Sequence, residues 1–421
     1  CDRRQRQMCI RDSYIKVCGK QFSKLLSSQQ VQAEADRVWC GVERCLFGNG
    51  KELHFKKLMD FDTIGGKSNK NGARFDLDAM YVNWLGLSLK CYLPKSENSL
   101  SYVWESLKGK ISYCNIKRLM FSSGWRYYAE IVVSGAAPTR VSIGTSTMGI
   151  DPGVSTIAGV SEDACVLEEL APNAIQYEKK IQKISQSMDR SRRISNPNKY
   201  NEDGTINRSN RDPWKYSKNY VKMCRLLKSL YRKKHAYIVD SHRKLCNKLI
   251  TIARYFSVEK MHFQALQKRA KETKRQEKKT EVKQKDGTVK VIQKYKRKKR
   301  FGRSINRRAP ARFLLELKRK AEAVGGVYAE VDTKEFKASQ YNHVTDTYEK
   351  IPLSQREKEI GKRKVQRDLY SAFLIRNADL DFKHPDREKC EYEFEHFANL
   401  QDQLILKMKE SGLSMRQCFG F

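Results

Sequence analysis

Residues 147–161 read TMGIDPGVSTIAGVS, and this stretch decides the fold that the sequence predicts. Asp151 stands between two short apolar runs, with Pro152 and Gly153 directly behind it. Short apolar runs bounded by turn residues are typical of buried strands. The carboxylate has two candidate roles at this position: it caps an Asx turn before Gly153, or it binds a cation at the rim of a sheet. The positions of the other carboxylates in the chain distinguish between these two roles.

Charge is the strongest bulk property of the chain. Its 421 residues include 84 Lys and Arg against 48 Asp and Glu, a formal net charge of +36. Such an excess repels itself until a polyanion neutralises it, and nucleic acid phosphates do so with release of counterions. A basic membrane-surface protein is the alternative. However, the longest stretch without Lys, Arg or Glu, residues 141–161, is interrupted by Asp151, Pro152 and four glycines, so no membrane helix is predicted. We expect a cytoplasmic, prokaryotic protein that binds no membrane.

The chain has twelve cysteines but no CxxC pair, so spacing indicates neither a zinc ribbon nor a redox motif. We interpret the cysteines as reduced and mostly buried thiols. The opening segment, CDRRQRQMCIRDS, is polar and without apolar periodicity. We expect about the first fourteen residues to be non-native and leave them out of the fold.

The N-terminal third predicts a module of helix and sheet. Apolar residues three to four positions apart predict a helix over Phe22–Phe47. Residues 111–135 alternate around an SSG turn and predict a β-hairpin. Aromatic and basic side chains interleave on its second strand, so Arg126 and Tyr127 are candidate nucleic-acid contacts. An ordinary half-buried hairpin explains this pattern equally well.

From Met148 onward the pattern is α/β. Three short strands are predicted at Met148–Asp151, Ile157–Val160 and Val166–Leu170. A polar loop over Asp189–Pro213 follows, then a long helix within residues 221–252 and a fourth strand at Tyr255–Met261. A helix at Phe313–Val324 and a strand at Val327–Val331 complete the predicted core.

A basic arm interrupts this core. Residues 268–308 hold 19 Lys and Arg against 4 Asp and Glu, an excess of 15, around a short strand candidate, GTVKVIQKY. Because the arm lies between two core elements, we interpret it as a phosphate clamp or lid; a nuclear-localisation signal would not explain that position. The candidate contacts are Lys296, Arg297, Lys298, Lys299, Arg300, Arg303, Arg307 and Arg308.

Three carboxylates occupy comparable places. Asp151 and Glu259 end predicted strands, and Asp368 opens a predicted helix. Singly, each has an ordinary role as turn residue, lysine partner or helix cap. In an RNase H-like sheet the first and fourth strands are neighbours and a late helix docks on them, so these three would converge. Converging carboxylates repel unless cations lie between them. Two Mg²⁺ ions, with Mn²⁺ as a substitute, would satisfy them and cleave a phosphodiester.

Three stretches carry a family resemblance. MGIDPGVSTIAGVS resembles the first RuvC motif of the transposon-encoded TnpB proteins and the small type V CRISPR nucleases. YFSVEKM resembles their second motif, and VQRDLYSAFLIRN their third. The resemblance implies an RNase H-like (RuvC) nuclease domain over residues 147–378, with Asp151, Glu259 and Asp368 as catalytic magnesium ligands. It also implies an N-terminal β-barrel with a helical insertion over residues 1–146. We expect a helical tail over residues 379–421.

The resemblance implies the function of an RNA-guided DNA endonuclease. Its partners would be a guide RNA, either a transposon-end RNA or a CRISPR RNA, and a double-stranded DNA target. Base pairing would then select the sequence, while basic surfaces follow the backbone. The basic insertion 264–308 and Arg367, beside Asp368, are expected nucleic-acid contacts.

One departure from the family concerns zinc. The family usually carries a four-cysteine zinc ribbon between the last strand and the third motif. Here residues 336–368 contain no cysteine, and His343 alone cannot replace four thiolates. We therefore expect no zinc and a metal-free insertion over residues 334–363.

Alternative functions stay open at this point. A RuvC-like nuclease without a guide, such as a junction resolvase, needs neither the N-terminal module nor the basic arm. A non-cutting RNA-guided repressor would normally have lost a carboxylate, whereas all three are present. A strand-joining transposase is disfavoured because no HUH pair or suitably placed tyrosine occurs.

Overall fold

The computed structural model describes the chain except residues 1–11, 14, 18, 23, 49, 51, 57–59, 203, 268–274, 284–288, 296–300, 353–354 and 413–421. The predicted contacts Lys296, Arg297, Lys298, Lys299 and Arg300, and most of the opening segment, lie outside the described residues. The chain forms two compact units: Cys1–Pro138 with Ile184–Ser229, and Thr139–Lys183 with Leu230–Phe421. The predicted domain limits at residues 146 and 378 stay predictions.

The first unit contains two helices and six strands that carry labels here. These are α1 (Ser28–Phe47), β1 (Thr63–Ile64), β2 (Arg74–Asp76), β3 (Tyr81–Trp84), β4 (Leu87–Lys90), α2 (Glu97–Leu107), β5 (Ile111–Phe121) and β6 (Gly124–Val133). Helix α1 begins six residues later than the predicted Phe22, because Ser27 forms a capping box with Gln30. The strands pair as β1-β5-β6 and β2-β3-β4. A closed barrel does not occur among the pairings of the described strands.

The hairpin predicted over residues 111–135 is confirmed. Strands β5 and β6 pair antiparallel, with Phe121 opposite Gly124 at the turn. Gly124 has a φ of +125°, which L-residues with a side chain rarely adopt. The core of this unit packs Phe75, Val82, Leu107, Cys114 and Ile116 together, so one face of the hairpin is buried.

The remaining elements lie in the second unit, except that two of the helices have residues in both units. In chain order they are β7 (Ser146–Pro152), β8 (Thr156–Val160), β9 (Cys165–Glu169), α3 (Ala174–Ser195), α4 (Lys218–Ile252), β10 (Ala253–Glu259), α5 (Phe263–Leu266), β11 (Arg275–Lys283), β12 (Val289–Tyr295), α6 (Gly302–Arg308), α7 (Pro310–Ala323), β13 (Val327–Val331), α8 (Thr333–Phe336), β14 (Tyr341–Asn342), β15 (Thr347–Tyr348), β16 (Glu357–Ile360), β17 (Arg363–Gln366), α9 (Arg367–Arg376) and α10 (Arg387–Glu410).

A five-stranded mixed sheet organises the second unit. Its order is β13-β10-β7-β8-β9. Strands β7, β8 and β9 are antiparallel, whereas β10 runs parallel to both β7 and β13. The predicted α/β class and the adjacency of the first and fourth strands are therefore confirmed. The predicted strand limits agree with the observed ones to within two residues.

The loop predicted over Asp189–Pro213 is wrong at its start. Asp189 forms ion pairs with Arg192 and Arg193, three and four residues on, both at 2.8 Å. Such pairs lie on one helix face and favour helix. Helix α3 therefore continues to Ser195, and a short 3₁₀ turn, Pro197–Lys199, follows.

The cysteine-free insertion forms two small hairpins, β14–β15 and β16–β17. His343 is buried there, with Nδ1 2.7 Å from the hydroxyl of Tyr370, and its ring packs on Phe394. Lys358 donates from Nζ to the carbonyl of Tyr341 at 2.7 Å. Aromatic packing and buried hydrogen bonds thus hold this segment against α9 and α10.

A bilayer-spanning helix is not found: none of the described helices combines the necessary length with an apolar composition.

Candidate active site

Asp151 and Glu259 lie at the carboxyl ends of adjacent parallel strands. In the register of β7 and β10, Ile150 pairs with Val258, so the next residue on each strand is an acid. Pro152 is the last residue of β7, and Glu259 is the last residue of β10. The alternation of side chains along strands then brings both carboxyl groups to the same rim of the sheet.

The two carboxyl groups lie close enough to affect each other's ionisation, since their mutual interaction raises the pKa of Asp151 and lowers that of Glu259. Burial is the main cause that raises the pKa of Asp151 well above its ordinary value, and the charges of Glu259 and Asp368 add to it. Burial also raises the pKa of Glu259, while hydrogen bonds from Asp151 and Thr333 lower it in part. Both side chains retain some solvent-accessible surface, although protein atoms enclose most of their surroundings. The negative charge of the Asp151 and Glu259 pair is therefore not balanced by nearby positive charge.

Asp368 lies in the first turn of α9 and faces two arginines. Its Oδ1 is 2.8 Å from Nη2 of Arg367, and its Oδ2 is 3.2 Å from Nη1 of Arg356. Gln366 caps the helix by accepting from the amide of Leu369 at 2.7 Å. Asp368 is near enough to raise the pKa of Asp151 by its charge. The structure thus brings the three predicted carboxylates to one region, with the third neutralised by guanidinium groups.

A glycine sets how closely α9 approaches the sheet. A methyl group on Gly149 of β7 would collide with the carbonyl oxygen of Ala372 and the amide nitrogen of Arg376. Ala372 and Phe373 of this helix are fully buried. Because Gly149 lies two residues before Asp151, the same contact controls how near Asp368 stands to the other acids.

The site has the chemistry of a divalent-cation site but not its closed geometry. Carboxylate oxygens are the ligands that Mg²⁺ prefers, and a cation would relieve the repulsion that raises the pKa of Asp151. In the present arrangement, however, no group of three or more His, Cys, Asp or Glu side chains within the described residues is set to hold a metal. Asp151 and Glu259 would hold a cation, and Asp368 would join after exchanging its guanidinium contacts.

Several other predicted contacts are used inside the fold. Arg307 pairs with Glu178 at 2.7 Å, Arg308 pairs with Glu169, and Arg367 pairs with Asp368. Arg303 is exposed on α6. The guanidinium groups of Arg307, Arg308 and Arg367 thus already have carboxylate partners, and their role in binding nucleic acid stays a prediction.

On the hairpin, Tyr127 is 69% exposed, and Arg126 lies over the ring of Phe121 at 4.6 Å. Both positions match what the sequence analysis expects of a polar strand face. Their role in binding nucleic acid stays a prediction.

Sequence reasoning missed Arg356. Strands β16 and β17 pair Glu357 with Gln366, so the hairpin returns the chain and sets Arg356 beside Arg367. The amide of Arg367 donates to the carbonyl of Arg356 at 2.8 Å. Gly361, with a φ of +58°, marks the turn and was the available signal.

Comparisons with known proteins give little further information. No family model matches this chain, and no curated protein matches it. Among solved structures, it is similar to a chain from "Cryo-EM structure of CRISPR-Cas12f Ternary Complex", with 13% sequence identity and a TM-score of 0.30. The alignment covers 89% of this chain and 74% of that one. A similarity this weak supports no conclusion about function, which has to be argued from the residues of this chain.

Proposed function

We propose that the protein is an RNA-guided DNA endonuclease whose active site is formed by Asp151, Glu259 and Asp368. The observation that carries the proposal is the position of Asp151 and Glu259 at adjacent parallel strand ends, with Asp368 near enough for its charge to raise the pKa of both. Structural ion pairs neutralise carboxylates with lysine or arginine, whereas Asp151 and Glu259 face each other. Such a pair is typical of a site whose counter-charge is supplied by a bound cation.

The strand order supports a nuclease of the RNase H-like (RuvC) type. Three antiparallel strands followed by two parallel ones, in the order β13-β10-β7-β8-β9, is the arrangement expected of that fold. Helix α9 packs on β7 and carries the third acid. When bound, two Mg²⁺ ions would supply activation of the attacking water and neutralisation of the leaving oxygen.

The residues of the chain itself have distinct parts in this proposal. Asp151 and Glu259 would hold the cation, and they would do so in their deprotonated forms. The hydroxyl of Thr333 donates to the carbonyl of Lys260, next to Glu259, and helps to fix the end of strand β10. Arg356 and Arg367 hold the charge of Asp368 until the site is loaded.

The proposed partners are a guide RNA and a double-stranded DNA target. The net charge of +36 and the similarity of three motifs to the RuvC motifs of RNA-guided nucleases support this proposal. The RNA would be a transposon-end RNA or a CRISPR RNA, and the protein would act in the cytoplasm of a prokaryotic cell. Zinc would have no structural part, since the insertion lacks cysteine.

The test is to sequence RNA that copurifies with the protein and to use that RNA in a Mg²⁺-dependent DNA cleavage assay. Asp151→Asn, Glu259→Gln and Asp368→Asn should each lower cleavage at least about a thousandfold and leave RNA binding nearly unchanged. Glu330→Gln is the matched control, because Glu330 lies on the neighbouring strand β13 and forms only a 3.8 Å pair with Lys260. Cleavage by Asp151→Asn at the wild-type rate would overturn the proposal.

One observation favours a second candidate, a non-cutting RNA-guided DNA-binding protein. Two arginines hold Asp368, and no cluster in the described part of the chain is arranged for a metal. This candidate predicts guide-dependent DNA binding without Mg²⁺-dependent cleavage. Cleavage that persists without any discrete bound RNA would instead indicate an unguided nuclease.

A further inference from the structure

We propose that residues 207–218, which we call the basic strap, bind an unpaired strand of nucleic acid. Arg208, Arg211 and Lys215 would contact its phosphates, and Tyr216 would stack on one of its bases. The inference rests on the proposed function for the presence of such a strand. It identifies a contact surface formed by residues other than those of the basic arm and the hairpin.

The inner side of the basic strap is built around Trp214. The guanidinium of Arg192 lies 5.3 Å from its ring, and Nζ of Lys199 lies 5.2 Å from it. The ring of Tyr200 meets it edge-on at 6.0 Å. Cations over aromatic faces are stabilising, most of all when desolvated. Arg192, Lys199 and Tyr200 therefore stabilise the basic strap through their contacts with Trp214.

The buried side chains of Asn196 and Lys199 fix the path of the backbone of the basic strap. Asn196 donates from Nδ2 to the carbonyls of Arg192 and Lys215, at 2.9 and 2.8 Å, and accepts from the amide of Lys215 at 2.7 Å. Lys199 donates from Nζ to the carbonyl of Asn210 at 3.0 Å. These hydrogen bonds join the end of α3 and the residues directly after it to the basic strap at Asn210 and at Lys215. A surface ordered before binding loses less conformational entropy when a ligand arrives.

The outer side presents unused positive charge. Arg208, Arg211 and Lys215 are exposed, and none of their side chains makes an ion pair or hydrogen bond within the part of the chain that the structure describes. By contrast, Arg192 and Arg193 at the end of α3 share an ion pair with Asp189. The structure thus separates cations that build the segment from cations that face solvent, and the second group suits phosphates.

An aromatic face lies at the end of the same segment. Tyr216 is 50% exposed and stacks on Tyr220 with ring centroids 4.6 Å apart and planes 20° apart. Ser217 accepts from the amide of Tyr220 at 3.1 Å and starts helix α4 there. A base can extend this stack only if it is not already stacked in a duplex. The combination of phosphate contacts with one stacking ring therefore favours an unpaired strand over a duplex or an acidic protein.

The test is fluorescence anisotropy with the full chain in EDTA, using labelled 15-nucleotide U and dT oligomers and a duplex of the same length. Replacing Arg208, Arg211 and Lys215 together by Ala should lower the slope of log affinity against log salt by about 2, since each contact with a single strand contributes about 0.7. Tyr216→Ala should weaken binding about five- to a hundredfold with little change of slope.

The matched control replaces Lys389, Lys407 and Lys409 of α10 by Ala, which removes the same charge from another exposed surface. Its slope should stay near the wild-type value. An equal loss in both triple variants would overturn the proposal, because it would reflect net charge alone. Unchanged binding in the strap variants, or tighter binding of the duplex than of either single strand, would also overturn it.

Preferential loss of U oligomer binding would support the inference with the RNA as the strand, and preferential loss of dT binding would support it with a DNA strand. Because the assay involves no cleavage, its result is independent of the active-site assignment. Failure of the carboxylate variants to stop cleavage would contradict the proposed function and leave the strap measurement intact. Unchanged melting temperatures of the strap variants would show that the loss comes from binding rather than folding.

Discussion

Arg356 joins the cysteine-free insertion to the candidate active site, since its Nη1 lies 3.2 Å from Oδ2 of Asp368. The side chain of Arg356 is 45% exposed, whereas that of Arg367, on the other oxygen, is 9% exposed. Arg367 also donates to the carbonyl of Gln355 at 3.2 Å. Arg356 is therefore the more easily displaced of the two, and a cation entering the site has to compete with it.

Arg356→Ala should increase the affinity for Mn²⁺ or Ca²⁺ about two- to fivefold, because a half-exposed ion pair contributes about 0.5–1 kcal/mol. Isothermal titration calorimetry of the nucleic-acid-free protein measures this affinity. Arg363→Ala is the control, because Arg363 lies in the same hairpin but pairs with Glu395 at 2.8 Å. Unchanged or weaker cation binding by Arg356→Ala would show that this arginine does not compete.

Gly149→Ala should lower the unfolding free energy by about 1–3 kcal/mol, as overpacking of a fixed backbone does. The added methyl would meet the backbone of α9, which cannot rotate away as a side chain does. Gly159→Ala on β8 is the control, since its methyl would meet the flexible side chain of Met148 at 3.3 Å. Thermal denaturation compares the two variants. Equal melting temperatures would contradict the close approach of α9.

The metal-free protein should lose stability relative to Asp151→Asn as pH rises above the ordinary aspartate pKa of 3.8. Folding raises the pKa of Asp151, mainly through burial and then through the charge of Glu259. A carboxyl with a raised pKa contributes fully below its unfolded value and loses that contribution as pH rises through its folded value. Asparagine does not ionise, so the variant lacks this loss.

Melting temperatures in EDTA at a series of pH values test the pH prediction. Added Mg²⁺ should reduce the difference between wild type and Asp151→Asn at high pH, because the cation replaces the proton. A difference that stays constant with pH would count against a raised pKa of Asp151.

His343→Gln should flatten the acid limb of the stability curve. Burial lowers the pKa of His343 from 6.5 to about 4, and the residue is 1% exposed. Its neutral form therefore contributes fully above pH 6.5 and loses that contribution as pH falls towards 4. The loss amounts to about 3 kcal/mol of unfolding free energy.

Urea titrations at several pH values measure this loss, and His54→Gln is the control because His54 is exposed. Burial also lowers the pKa of His242 to about 4. Its protonation should therefore lower the unfolding free energy at acid pH by a similar amount in wild type and in His343→Gln. An identical acid limb for His343→Gln and wild type would contradict the buried, neutral state of His343.

Deletion of residues 268–300 should reduce the salt slope of RNA binding, because the basic arm would contact phosphates. The arm contains the antiparallel strands β11 and β12, so a Gly-Ser linker should replace it. Binding measured from low to high salt gives the slope. An unchanged slope would remove the clamp role from the arm.

Local patterns predicted the sheet and the three acids well. Asp151 and Glu259 end strands whose apolar runs and turn residues are contiguous in sequence, so their positions depend on short-range rules. The continuation of α3 through Arg193 was also locally encoded, in the spacing of Asp189 with two arginines. That signal was available and was overlooked in favour of composition.

Long-range pairing was not predictable from one sequence. Arg307 and Arg308 belong to a dense basic run, but they pair with acids 129 and 139 residues away in the chain. The contact of Arg356 with Asp368 likewise depends on a hairpin register. A sequence shows that a charge exists, while only the fold shows whether a partner already neutralises it.

The inward-facing arginines limit how this protein can be made less basic. Arg376 is 4% exposed and lies 2.9 Å from the partly buried Glu393, so its neutralisation would leave that carboxylate without this partner. Removing one member of a buried pair typically costs about 3–5 kcal/mol. Efforts to reduce background adhesion to cellular RNA should therefore start at solvent-facing positions outside the proposed binding surfaces, such as Lys389 and Lys407 of α10, where charge can be removed without weakening the scaffold.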